Sequence, residues 1–217
     1  MHLRQCLHQY YARVPAFFVF LIESSYNACL VTTEQYDKSI QTGELQLPGF
    51  WARASHFGLP IVFLFLALFI PGFHLYLFFQ GSPAAFFIVE LWVILGFLIF
   101  SLLLFWMQKR RLKFRVVQTR LNAATMKLII ENVARELEWK GEFTSEKVYE
   151  AKTHPGFFSG SWGEQITILF ADGRVFVNSI CDPDQRNSVF SNERNRENED
   201  TLVKCINDTE KLNSVTN

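Results

Sequence analysis

Two apolar runs, Phe57–Phe79 and Ala84–Met107, separated only by Gln80-Gly81-Ser82-Pro83, constrain this chain more than any other feature. Each is long enough to cross a hydrocarbon core of about 30 Å, which takes about 20 helical residues. The short connection forces the two segments to run antiparallel, and Lys109-Arg110-Arg111 closes the second. The fold class expected is a membrane α-helical hairpin of two transmembrane helices carrying a small cytoplasmic α+β domain. In residue terms, 1–55 form an N-terminal cytoplasmic or interfacial segment and 56–111 the hairpin. Residues 112–206 form the α+β domain and 207–217 a flexible tail.

The second run contains one acid, Glu90. Its Leu, Ile, Val and Phe residues, at roughly −0.3 to −0.6 kcal/mol each, outweigh a charge costing about 3 kcal/mol at the centre of a bilayer. His74 lies six residues before Gln80, and Glu90 seven after Pro83. Those offsets from the turn place them at similar depth, so an intramembrane His74–Glu90 pair is expected. Pro71-Gly72 is expected to loosen the first helix, because proline lacks a backbone donor.

Net charge is zero, but its distribution is uneven. Residues 109–120 hold Lys109, Arg110, Arg111, Lys113, Arg115 and Arg120 without an acid, whereas residues 121–217 are mildly acidic. The positive-inside rule then puts both termini in the cytoplasm and Gln80–Pro83 outside. Lys109, Arg110, Arg111, Lys113 and Arg115 read as a collar for lipid headgroups. An acidic domain beyond that collar argues against a nucleic-acid partner, because phosphate binding needs a basic surface.

Ahead of the hairpin, Val14–Ile22 follows Arg4 and Arg13 in the layout of a signal peptide. Pro15, the immediate Glu23 and the lack of a small-x-small cleavage site favour an interfacial segment or an over-extended start instead. Leu45, Leu47, Phe50, Trp51 and Arg53 read as an interfacial approach to the first span.

After the hairpin, Lys113–Gln118 suits either a helical extension or a first strand. Asn122 is a suitable N-cap for a helix over 123–138, with Met126, Ile129, Ile130, Val133, Ala134 and Leu137 at helical spacing. Strands are expected over 139–143, 147–152, 165–170 and 174–179, the last two joined by the hairpin dipeptide Asp172-Gly173. A last helix is expected over 195–206, with Glu197, Glu199 and Asp200 early and Lys204 late, as the helix dipole prefers.

Two loops could carry recognition. Thr153–Glu164 offers Phe157, Phe158, Trp162 and Glu164 among glycines, a layout for docking, core packing or lipid contact. It lacks the Lys-Ser/Thr helix start of a phosphate loop, and no cofactor is expected. The second loop, within Asn178–Asn198, offers Asp182, Asp184, Arg186 and Arg194. Carboxylates so spaced suit a hard cation, yet the Gly and terminal Glu of an EF-hand are missing. Asx-turn capping of the last helix is the plainer use. Cys6, Cys29, Cys181 and Cys205 are scattered, with no metal-like spacing, so no metal site is expected. No catalytic constellation emerges.

Three motifs, Ala151-Lys152-Thr153, Ser161-Trp162-Gly163-Glu164 and Asn178-Ser179-Ile180-Cys181-Asp182-Pro183-Asp184, with Arg194-Asn195 and Asn198, resemble a group of small bacterial two-helix membrane proteins. The likeness spans roughly 115–206 and implies a bacterial inner membrane but no activity. The functional expectation is a membrane-anchored binding or regulatory module that recognises a protein partner or small polar ligand. The alternative is a self-associating transport or channel subunit that uses Glu90 and His74.

Overall fold

The computed structural model describes residues 31–81, 88–153, 163–183 and 192–216. Among the described residues, six helices and a five-stranded antiparallel sheet follow one another in chain order. They are α1 (Thr33–Thr42), α2 (Gly49–His56), α3 (Gly58–Phe79), α4 (Ile88–Arg111), β1 (Arg115–Gln118), α5 (Ala123–Glu136), β2 (Lys140–Ser145), β3 (Val148–Lys152), β4 (Glu164–Ala171), β5 (Arg174–Cys181) and α6 (Asn192–Thr216).

The apolar runs form α3 and α4, both long and apolar enough to cross a membrane. In the most apolar windows only 6% and 11% of residues are buried by the rest of the protein, whereas a core helix of a water-soluble fold would be mostly buried. Helix α3 continues through Pro71. The two helices are joined at their domain-side ends by polar bonds. Ser101 Oγ donates to the Pro60 carbonyl at 2.8 Å, and His56 Nε2 lies 3.0 Å from the Gln108 carbonyl.

Strand order is β1-β5-β4-β3-β2, so β2 to β5 form a meander and β1 adds to its far edge. The 113–118 ambiguity resolves as a strand, paired Arg115 to Val177 through Gln118 to Arg174. Asp172 and Gly173 both take positive φ (51° and 70°), the turn chemistry expected of Asp-Gly between antiparallel strands.

Side-chain alternation gives the sheet two buried faces. On one, Ile166, Ile168, Val175 and Val177 pack against Met126, Ile130 and Val133 of α5 and Leu202 and Ile206 of α6. On the other, Leu169, Phe176 and Ile180 pack against Leu112, Phe114, Leu45 and Leu47. Leu45 and Leu47, expected as an interfacial approach, are therefore core residues: the segment before the hairpin covers the sheet. Leu45 N donates to Leu112 O (2.7 Å) and Phe114 N to Gly43 O (2.9 Å), closing a bridge between Glu44 and Lys113. Phe50 and Trp51, 73% and 81% exposed, retain the character expected of interfacial anchors.

The helix ends explain themselves locally. Thr32 and Gln35 form a reciprocal capping box for α1, and Gly43 (φ 67°) ends it. Asn122 accepts from Thr125 N at 2.8 Å to start α5. Helix α5 stops at a left-handed Glu138 (φ 56°), where Trp139 N reaches back to Ala134 O at 2.7 Å. A left-handed side chain is strained, so Glu138→Gly is expected to stabilise the domain by about 0.5–1 kcal/mol in chemical unfolding. Helix α6 runs on to Thr216, past the end expected at Ile206. Glu210 accepts from Arg120 N and ties this extension to the start of α5.

Candidate functional site

The structure divides the loop residues expected to act together. Phe157, Phe158 and Trp162 lie outside the described residues, as do Asp184 and Arg186. Glu164 is buried, and its carboxylate accepts from Thr153 Oγ1 while its own N–H donates to that oxygen at 2.9 Å. Asp182 is buried and salt-bridged to Lys152 at 3.1 Å. Register places Glu164 on the face covered by α5 and α6, and Lys152 with Asp182 on the opposite face. The two acids therefore do not converge on one ligand. Arg194 is exposed and shares with Glu164 a cleft of about 640 Å³ that also takes in Trp139 and Asn198. Among the described residues no cluster of three His, Cys, Asp or Glu could hold a metal.

A polar chain links β5 to α6 on the helical face. Ser179 Oγ donates to Asn195 Oδ1 and accepts from Asn198 Nδ2, each at 3.1 Å, and Trp139 Nε1 donates to Asn198 Oδ1 at 3.0 Å. These asparagines, within α6 itself, dock the helix on β5. Ser179 N donates to Glu199 Oε1 at 2.9 Å. Burial pushes the Glu199 carboxyl up to about 7, against the lowering pull of Ser179 N–H, Arg115 and Arg196; Asp200 adds to the rise. A raised carboxyl means that the folded state holds a proton the unfolded chain has released. Stability from this group is thus present at acidic pH and lost as pH rises from about 4.5 to 7. Glu199→Gln is expected to remove this loss, on the order of 2 kcal/mol, when unfolding is compared at pH 5 and pH 8.

On the opposite face, Glu150, Thr167 and Asn178 occupy one cross-strand row. Glu150 Oε2 accepts from Val31 N (3.2 Å) and Thr144 Oγ1 (3.3 Å). Asn178 Nδ2 donates to the carbonyls of Arg111 (2.8 Å) and Lys113 (3.1 Å). Strands β3 and β5 thereby hold, respectively, the segment entering α1 and the chain leaving α4. Burial raises the Glu150 carboxyl, opposed by Val31 N–H, Thr144 and Lys152.

The basic collar divides: Arg110, Arg111 and Lys113 line one cavity, whereas Lys109 and Arg115 lie outside it. Arg110 stacks its guanidinium over Trp106 at 4.6 Å, and Arg111 donates to Gln108 Oε1 at 3.4 Å. Lys109 is exposed, and Lys113 occupies the bridge with Glu44. Arg115, expected among headgroup contacts, pairs instead with Asp200 of α6. Strand alternation turns it toward the α6 face. Between the long helices, His74 Nε2 lies 3.1 Å from Glu90 Oε2, so the two residues are paired as their offsets from the turn predict.

Another site away from the hairpin was not expected. A cleft of about 500 Å³ opens at the Asp172-Gly173 end of the sheet, with α1 as one wall. Its apolar surface comes from Ile40, Leu121, Met126, Phe143 and Phe170, and charged groups ring it. Tyr36 Oη donates to Phe170 O at 2.6 Å, fixing α1 over the cleft. Lys147 Nζ stands 5.8 Å from the Tyr36 ring and Lys127 Nζ 5.6 Å from the Phe143 ring. The capping residues of α1 and the helical spacing of Tyr36 and Ile40 were legible, but their partner surface lies more than 80 residues away in sequence.

Comparison with protein-family models, curated proteins and solved structures finds no match.

Proposed function

We propose that this chain is a two-pass membrane protein whose α+β domain is a binding module, and that the cleft beside α1 receives its ligand. The observation that carries the reading is the cleft's composition: an aromatic and aliphatic floor under a rim holding Lys127, Lys147 and Arg174 together with Asp37, Glu146 and Asp172. Ligand sites are commonly concave and apolar with a few polar groups that fix orientation. A mixed-charge rim around such a floor suits an amphipathic segment of a protein partner. The low burial of α3 and α4 supports their insertion in lipid, because exposed apolar helices are costly in water. The basic residues beside the domain end of α4 support a bacterial inner-membrane location with both termini cytoplasmic.

His74 and Glu90 serve in this reading as the register lock of the hairpin. Their mutual pairing satisfies charge within one copy, which favours that role over a transport path shared between copies.

Photo-crosslinking in native membranes tests the binding reading. Crosslinkers at exposed Gln41 and Lys147 should capture a discrete partner. Ala123→Trp, which fills the cleft from an exposed position, should abolish that capture. Equal capture from the same crosslinker at Leu212, outside the cleft, would sink the proposal.

A further inference from the structure

A third cavity, of about 400 Å³, lies where α4 meets the start of α6. Trp106 and Met107 form its wall on the hairpin side, and Arg110, Arg111, Lys113 and Arg196 bring four cationic side chains to it. Glu199 is the one acidic residue in its lining, and the Ser179 N–H that bonds Glu199 lies in its floor. Trp106 is largely exposed on the outer surface of α4, so the cavity opens sideways onto the apolar flank of the helix. Stacking on Trp106 holds the Arg110 guanidinium at the cavity's lower rim. Arg196 enters from a different element, because the asparagine chain through Ser179 docks the first turns of α6 there.

We infer that this cavity binds the phosphate headgroup of an anionic phospholipid in the leaflet on the domain's side. A soluble anion would need only the cationic rim. A phospholipid also needs an apolar exit for its chains, which Trp106 and Met107 provide on the face of a helix suited to the bilayer. Arginine suits phosphate because its planar fork gives two parallel hydrogen bonds. Basic pockets at the ends of membrane helices take such headgroups for the same reason. The site binds α4 and α6 to one lipid, and so fixes the domain's attitude on the membrane.

The inference rests on the membrane reading, and one experiment separates the two. The full chain is reconstituted into vesicles of equal phosphatidylglycerol and phosphatidylcholine, extracted gently, and its retained lipids are measured by native mass spectrometry. Phosphatidylglycerol should be retained in excess. Arg110→Gln with Arg196→Gln should cut that excess roughly thirtyfold, given about 1 kcal/mol for each basic residue at the surface. The control Lys109→Gln with Arg120→Gln removes the same charge outside the cavity and should leave the excess intact. Arg196→Gln alone, at an exposed position, guards against misfolding of the double variant and should give part of the effect. Equal retention of both lipids, equal loss in the control, or displacement by inorganic phosphate would overturn the site. Failure to enter either vesicle would overturn the membrane reading with it.

Discussion

A chain beginning at Leu112 is expected to lack a folded domain, although it contains the whole five-stranded sheet. Without residues 31–47, the face bearing Val148, Leu169, Phe176 and Ile180 loses Leu45 and Leu47 and faces water. Full burial of such side chains is worth about 1.5–3 kcal/mol each, against a net domain stability of about 5–15 kcal/mol. Glu150 also loses Val31 N–H, and Phe170 O loses the Tyr36 hydroxyl. The 112–217 fragment should bind a hydrophobic dye strongly and show no cooperative melt. Joining 31–47 to 112–216 through a short flexible linker should restore the melt, because the Glu44–Lys113 bridge already holds the ends together. A sharp transition in the bare fragment would contradict the two-segment domain.

Gly141→Ala is expected to be the most damaging single-atom change in the sheet. Gly141 pairs with Ala151, and a Cβ there would lie inside contact distance of the Glu150 carbonyl and the Ala151 side chain. Neither can retreat while β3 stays paired to β4, so the edge strand β2 must move. Glycine within a strand often marks such a close approach. Displacing β2 also pulls Phe143 from its edge-on packing with Tyr149, whose ring centroid is 4.9 Å away. The cost should be about 3 kcal/mol, at the upper end of overpacking effects, and should lower the melting temperature by roughly 10 °C. The conservative exchange Glu142→Gln, on the exposed neighbour, should shift it little. A melting point unchanged by Gly141→Ala would refute the register.

The two long helices were legible because two apolar runs of such length four residues apart are a signal of composition alone. Helix α5 showed itself through the spacing of Met126, Ile130 and Val133, and the β4–β5 turn through Asp172-Gly173. Both are local signals. The cover formed by Leu45 and Leu47 was hidden because it depends on Leu112 and Phe114, across the entire hairpin. Two leucines near a Trp and an Arg read equally well as an interfacial anchor. Helix α6 was cut short at Ile206 because few apolar residues follow it, and Glu210 holds it through a backbone donor that no periodicity reports. The cleft beside α1 was out of reach for the same reason as the cover. Its walls come from α1, from the start of α5 and from two turns. The intramembrane pair was the exception, since antiparallel geometry converts sequence offset directly into depth.

The chain on both sides of the two long helices closes into one domain. Glu44 and Lys113 face each other in a pair flanked by the Leu45 N–Leu112 O and Phe114 N–Gly43 O bonds. In such non-hydrogen-bonded pairs the Cα atoms approach to about 4.5 Å, within the range a disulfide spans. Glu44→Cys with Lys113→Cys should therefore oxidise nearly completely in intact membranes, within one chain, and give a reducible mobility shift absent from either single variant. A pair that stays reduced, or crosslinks only between chains, would contradict the account.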